Sequence, residues 1–427
     1  MEQVKNNTLY IGGVSTKKLA EQYGTPLYIY DQDSIEKRIE AFKTNFRSEQ
    51  FATQIVYASK AFLCKAMAAL VEKHKLGMDV VSSGELYIAS QSGFDMKNIV
   101  FHGNNKSREE LQMAIDQRIG TIVLDNIAEA RELAKFKMKE DMDVLLRINP
   151  GVEAHTHQYI VTAHIDSKFG VLKTEIKTIK EIVQIIESNP NLHFKGFHAH
   201  IGSQIFDRNA FKAEIETMGQ FVSEMKQEMK RDFPTLDLGG GFAALYTNED
   251  KPIPINEVCA VIIEQCESIN TQFQLNLKKI LIEPGRSIVA EAGYSLYTIG
   301  FTKDTPHKKY IFVDGGMSDN IRPALYQAKY RADIANKMND QKDQEVCIAG
   351  KCCESGDLLI EKITLPEAQQ DDLLVMYTTG AYGYSMASTY NALRIPAVVF
   401  VKNGKDSLVV HRQTYEELIS KDEGEIL

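Results

Sequence analysis

The chain has 427 residues, more than the roughly 250–300 that a single core serves, so its length implies two domains. Hydrophobic residues make up 44% and charged residues 25%, and 49 Lys+Arg against 58 Asp+Glu leave a net charge of −9, which excludes general affinity for nucleic acid. No window approaches the ~18 unbroken apolar residues of a membrane span, and the start "MEQVKNNTLY" lacks the basic-then-apolar pattern of a signal peptide, so the expected location is the cytoplasm.

In chain order, "YGTPLYIYD" reads as a strand that suits either domain. From residue 54 to about 290, β-branched and aromatic runs alternate with helical periodicity. The runs are "QIVYA", "MDVV", "NIVF", "TIVL", "DVLLRI", "FKGFHA", "TLDL" and "KILI". Between them stand helical patterns such as "AFLCKAMAALVEKHK", "SGELYIASQSG", "SREELQMAIDQRIG" and "AFKAEIETMGQFVSEMKQEMK". Parallel strands joined by crossover helices follow from that alternation, and eight of them predict an α/β fold, a (β/α)8 TIM barrel over residues 30–288. Beyond it, "YSLYTIGFT", "KYIFVDGG", "EVCIAGK", "DLLVMYTTGAYG", "AVVFVKNGK" and "SLVVHR" are short strands between turn signals. "KNGK" is a hairpin turn, since Asn-Gly tolerates positive φ. Residues 289–427, with 1–29, are the expected C-terminal all-β, β-barrel-like domain.

Chemistry in such a barrel gathers at the C-terminal strand ends. Here those ends carry Lys60, "SSGE", "HGNN", "RINPG" with Arg147, "HAHIGSQ", "LGGGF" and "EPGR". Lys60 is open to two readings, a snorkelling surface residue or an amine whose pKa burial lowers. Gly239–Gly241 suit either a tight turn or a phosphate nest built from backbone N–H groups. Ser203 suits either that phosphate or a helix cap. His198 and His200 share one strand face. With His155 and His157 they raise a metal site, but no carboxylate stands at ligand spacing, so none is expected. Glu283 precedes Pro284, which fixes the chain and aims the carboxylate. Lysine, phosphate nest, flat ring and carboxylate together describe a site for pyridoxal 5'-phosphate. The six cysteines, Cys64, Cys259, Cys266, Cys347, Cys352 and Cys353, contain no CxxC pair and are expected as free thiols.

"YASKA", "HIGSQ", "GGGF", "EPGRSIV", "DGGMSDNIRPALY", "CCESGD" and "GAYGYSMASTYN" closely resemble the diaminopimelate decarboxylase family, within the pyridoxal-phosphate fold that also holds alanine racemase and ornithine decarboxylase. The resemblance spans about Gly24 to Arg394. It implies a homodimer with shared active sites that releases CO₂ from meso-2,6-diaminopimelate to give L-lysine, the last step of lysine biosynthesis. It further implies Lys60 as the Schiff-base lysine and His200 as the ring-stacking histidine. Ser203, Gly240 and Gly241 match the phosphate pocket, Glu283 the partner of the ring nitrogen, and Pro284, Gly285 and Arg286 complete that motif. Arg286, Arg322 and Tyr326 match the residues that hold the distal carboxylate. Glu354 matches the reader of the distal ammonium, and Tyr382 a tyrosine touching cofactor and substrate. Cys353 matches the proton donor, and with Glu354 it is expected to reach the site of the other subunit. Ala243 and Ala199 depart from the commonest pattern, which has glycine and cysteine there. The nearest rivals are a decarboxylase of another diamino acid in siderophore or polyamine synthesis, an amino-acid racemase, and a homologue that only binds.

Overall fold

The computed structural model describes residues 2–151 and 166–424; His155 and His157 lie outside the described residues. Eight parallel strands follow one another in the chain: β1 (Ala52–Ala58), β2 (Gly77–Val80), β3 (Ile99–Phe101), β4 (Thr121–Leu124), β5 (Met142–Asn149), β6 (Leu192–His198), β7 (Thr235–Asp237) and β8 (Lys279–Ile282). Each pairs with the next, β8 pairs back onto β1 through Lys279 and Ala52, and β4 pairs with β5. The sheet therefore closes, as the eight apolar runs predict.

Alternation along these strands sorts the interior into layers. Val56, Val100, Val123, Leu145 and Leu281 pack on one another as one apolar layer. Two residues further along, on the same face, come His102, Asp125, Arg147 and Glu283. Asp79, His198 and Asp237 occupy the corresponding ends of β2, β6 and β7, all buried. An apolar plug thus carries a polar layer at the C-terminal ends of the strands.

Three helices follow the expected patterns, at Ser83–Ser90, Arg108–Asp116 and Arg208–Met229. "AFLCKAMAALVEKHK" differs: Lys60 lies in a single 3-10 turn, Ser59–Ala61, and the α-helix starts only at Lys65. Phe62 between them is extended, and its carbonyl accepts from the Tyr57 hydroxyl at 2.7 Å. That bond spends a carbonyl which a continuous helix would need.

Within the described residues, the barrel unit falls in 39–243 and 251–287, and a second unit in 1–38, 244–250 and 288–427. In the second unit a nine-stranded sheet is organised by the long strand Gly293–Asp304. Its first half pairs with Leu27–Asp31 on one edge and Leu373–Tyr377 on the other, and its second half pairs with Lys309–Val313. "YGTPLYIYD" thus belongs to the sheet unit. Leu27–Asp31 also pairs with Ala397–Lys402, which turns at Asn403-Gly404 (φ 51° and 76°) into Lys405–Val410. Leu9, Ile29, Leu296, Val375 and Val399 are among the residues of its core. Leu358–Leu365, Ala332–Ile334 and an N-terminal three-stranded sheet had no clear sequence signal. Leu358–Leu365 carries Glu361 and Lys362 in its middle, and the others are two to four residues long.

One buried group works against the barrel. Glu214, on helix Arg208–Met229, is 1% exposed and neither carboxyl oxygen has a hydrogen-bond partner. Burial raises its pKa well above 4.5. The folded state therefore keeps a proton that the unfolded chain releases above its ordinary value, and stability falls as pH rises from there. Glu214→Met, of similar volume and without the polar group, is expected to raise stability at pH 8 by about 1–3 kcal/mol. Urea denaturation at pH 5 and pH 8 checks this: the gain must be larger at pH 8, and parallel pH dependences of the two proteins would refute the account.

Candidate active site

Glu283 follows directly on β8, is 6% exposed, and its N–H donates to the Gly239 carbonyl at 2.6 Å. Pro284 accepts from the Ala58 N–H at 3.3 Å, and a side chain at Gly285 would meet Ala58 at 2.8 Å. "EPG" is thereby wedged between the ends of β7 and β1. His102 Nε2 donates to Glu283 Oε1 at 2.6 Å, since a carboxylate only accepts. His198 Nε2 lies 3.4 Å from Oε2. Burial opposes the charge on Glu283, but the two imidazoles hold its carboxyl well below the usual range, so it is an anion. Around it His198, Asp79 and Asp237 are shifted toward their neutral forms. Burial pushes His198 down to about 3, and burial with the Glu283 charge pushes Asp237 well above its ordinary value. Burial likewise raises Asp79, with His102 opposing.

Lys60 stands near this layer, with Nζ 3.9 Å from Asp79 Oδ2. Its side chain is 45% exposed, which corrects the reading of an amine activated by burial. The 3-10 turn leaves the side chain at the rim, where a reagent in solution can reach it. His200 Nδ1 accepts from the Gly240 N–H at 3.2 Å, which fixes the ring. Burial, then the Lys60 charge, lowers its pKa well below 6.5, so the ring is flat, neutral and able to stack. At Gly240 a Cβ would lie 2.4 Å from the Glu283 carbonyl oxygen, so no larger residue fits. Gly239 and Gly241 have φ of +60° and +103°. Ser203 Oγ accepts from Arg286 Nη2 at 2.9 Å and from Nε at 3.3 Å, leaving a hydroxyl proton and a guanidinium together.

This donor set fits pyridoxal phosphate. It offers an amine for the aldehyde, a hydroxyl, guanidinium and glycine loop for the phosphate, a neutral ring for stacking and an anion for the ring nitrogen. Among the described residues His102, His198 and Glu283 also bring three ligand-type atoms within 4.8 Å.

The remaining predicted residues lie in the sheet unit. Arg322 opens the short helix Arg322–Tyr326, is 8% exposed, and donates to the Tyr330 hydroxyl at 2.7 Å. Its guanidinium lies 5.0–6.0 Å from the ring centroids of Tyr246, Tyr326, Tyr330 and Tyr382. Among the described residues no carboxylate forms an ion pair with it, which leaves its charge available to an anion from outside. Tyr382 has a positive φ of 63°, a strained conformation for an aromatic residue. Cys353 and Glu354 are exposed on a turn. Asp357 holds that turn by accepting from Cys352 N–H at 2.8 Å and Met317 N–H at 2.6 Å. All six cysteines are free, and Cys353 alone of them is exposed.

Sequence reasoning gave no role to Asp79, His102, Asp237, Tyr246 or Asp357. Asp79 and Asp237 belong to their strands and not to the loops that follow them. A charge interrupting an apolar run was the available signal. His102 was noted at a strand end, but its partner is distant in the chain.

Residues 32–290 match the pyridoxal-binding domain of the pyridoxal-dependent decarboxylases. The chain is 49% identical to the diaminopimelate decarboxylase of Bacillus subtilis over 424 residues, covering 98% of this chain and 96% of that one. It is 42% identical to that of Staphylococcus aureus over 420 residues, covering 98% of each. The crystal structure of the M. jannaschii diaminopimelate decarboxylase in complex with L-lysine superposes with a TM-score of 0.91 at 33% identity, covering 99% of this chain and 97% of that one. By its barrel domain and by identity along nearly its whole length, the chain belongs to the pyridoxal-dependent decarboxylases and, among them, to the diaminopimelate decarboxylase family.

Proposed function

We propose that the chain is a pyridoxal-phosphate-dependent carboxy-lyase that converts meso-2,6-diaminopimelate to L-lysine and CO₂, the last step of lysine biosynthesis. The observation that carries this reading is the anionic Glu283, kept inside the barrel beside the Gly239–Gly241 loop and the Lys60 amine. Pyridoxal phosphate, when bound, supplies an electron-withdrawing ring that accepts the electron pair released with CO₂. Glu283 would favour, by its charge, a proton on the ring nitrogen. His200 would orient the ring face, Gly240, Gly241, Ser203 and Arg286 would hold the phosphate end, and Lys60 would offer its amine to the aldehyde.

The substrate carries an amino-acid head at each end, so one head must be read as a zwitterion. Arg322 suits the distal carboxylate, because among the described residues tyrosine rings and no ion-paired carboxylate surround its charge. Arg286 and Tyr326 assist there, and Glu354 supplies the opposite charge for the distal ammonium. A simple diamine head would not call for Arg322. Cys353 Sγ delivers the proton that replaces CO₂ on the α-carbon, and Tyr382 orients the substrate. The reading includes a homodimer with shared sites, supported by the exposure of Cys353 and Glu354 in the single chain. It also includes a cytoplasmic setting, in keeping with the absence, among the described residues, of any helix long and apolar enough to cross a membrane.

The test is CO₂ release by the cofactor-loaded protein offered meso-diaminopimelate, LL-diaminopimelate, ornithine and arginine separately. Release from the meso isomer with lysine appearing is the expected result, and release chiefly from ornithine or arginine overturns the substrate. Arg322→Lys is expected to raise KM for the meso isomer about tenfold or more, since an ammonium cannot replace a bidentate fork. An unchanged KM removes Arg322 from the distal head. Cys353→Ala is expected to lower kcat by roughly 10²-fold, the contribution of a positioned acid, while cofactor binding stays intact. Wild-type turnover in that variant assigns the proton to another group.

A further inference from the structure

His102, which opens the "HGNN" strand end, is a buried polar group that the proposed chemistry leaves without a task. Its place is closely fixed. The ring is 5% exposed, and its backbone N–H donates to the Val80 carbonyl at 2.8 Å. The loop after it is pinned by Lys106, whose ammonium donates to the Gly103 and Val123 carbonyls at 2.8 and 2.7 Å and to Glu129 at 2.7 Å. The ring meets that of His198 edge to face, with centroids 4.7 Å apart. Nε2 points at Glu283 Oε1, 2.6 Å away, with Asp79 Oδ1 at 4.0 Å.

We propose that His102 is a positioning residue, whose Nε2–H clamps one oxygen of Glu283 and so presents the carboxylate, as an anion, to the ring nitrogen of the cofactor. The inference rests on the cofactor reading above and adds the residue that makes it work. Geometry favours His102 over the second imidazole for this task. His198 Nε2 is 3.4 Å from Oε2, and neither of its ring nitrogens forms an aligned hydrogen bond. Asp79 and Asp237 place two further carboxyl groups in the same buried layer, so a carboxylate there without a donor would lose its charge or turn away. A single well-directed donor from a ring that cannot move resolves both problems. Because the donor is the ε nitrogen, the tautomer is specified as well.

That last point makes the proposal testable with close analogues. The amide nitrogen of Gln stands about where Nε2 does, whereas that of Asn stands about where Nδ1 does. His102→Gln, His102→Asn and His102→Leu are loaded with pyridoxal phosphate, and folding is checked by circular dichroism. His102→Leu is expected to shift the absorbance band of the bound cofactor and to lower kcat about 10–100-fold, with KM changed less than threefold. His102→Gln is expected to restore the wild-type band and most of kcat, and His102→Asn to restore neither. Wild-type spectra in all three variants, or equal rescue by Asn and Gln, overturn the proposal. So does a stoichiometric metal ion in the purified wild-type protein, since Nε2 would then be a ligand. The spectral comparison needs only bound cofactor. Wild-type protein that binds it but releases no CO₂ therefore sinks the decarboxylase reading while His102 is still judged by its own band. Failure to bind the cofactor at all overturns both.

Discussion

Keeping Glu283 charged inside the barrel is the constraint around which the polar layer is arranged. An ion removed from water is destabilised by several kcal/mol unless donors replace its hydration. Here two imidazoles face the carboxylate, one at 2.6 Å and one at 3.4 Å, and Asp79 and Asp237 are pushed toward their neutral forms. Of the four acids in that layer, Asp79, Asp125 and Asp237 are shifted upward and Glu283 is held below its ordinary range. The choice falls on the acid with the strongest donor.

The barrel makes that selection possible by geometry alone. A closed parallel sheet with a two-residue repeat stacks the inward-pointing side chains of its strands in successive interior layers. The layer of Val56, Val100, Val123, Leu145 and Leu281 excludes water from below. Polar side chains in the next layer then interact in a low dielectric, where hydrogen bonds and charges are stronger than in solution. The surrounding backbone is locked by the same turns that carry chemistry. Glu283 N–H to Gly239, Ala58 N–H to Pro284 and Ala199 N–H to Asp237 tie β8, β1, β6 and β7 at their ends. A shift of any one strand would move the carboxylate.

Much of this was legible in the sequence. The eight strands were visible because each is a short β-branched run between helical periods, and the Asn403-Gly404 hairpin because only certain residues accept two positive φ values in succession. Lys60, His200, the glycines and Glu283 were visible because they follow apolar runs. What stayed hidden depends on contacts between residues far apart in the chain. His102 and Glu283 are 181 residues apart, and no local pattern couples them. Asp79 lies inside a strand, and its burial is set by neighbours on other strands. The exposure of Lys60 depends on where the 3-10 turn ends and the helix begins, a boundary that propensity does not fix. The short strands of the sheet unit owe their conformation to pairing partners, which override weak local preference.

The sheet unit uses charge in the opposite manner. In the barrel a buried anion is matched by donors from the protein. In the sheet unit Arg322 is a buried cation surrounded by four tyrosine rings and no carboxylate among the described residues. Aromatic faces and a single hydroxyl at 2.7 Å stabilise a guanidinium without neutralising it. A carboxylate partner from the protein would have been the stronger internal contact, and it would also have used up the fork. Lacking one among the described residues, the guanidinium keeps its charge available to an anion from outside the protein. Under the proposed function, the anion would serve the end of the substrate where bonds change, and the cation the end that must only be held. A substrate lacking the distal carboxylate would forfeit the second interaction while leaving Arg322 buried and unpaired, which penalises it by more than the loss of one contact.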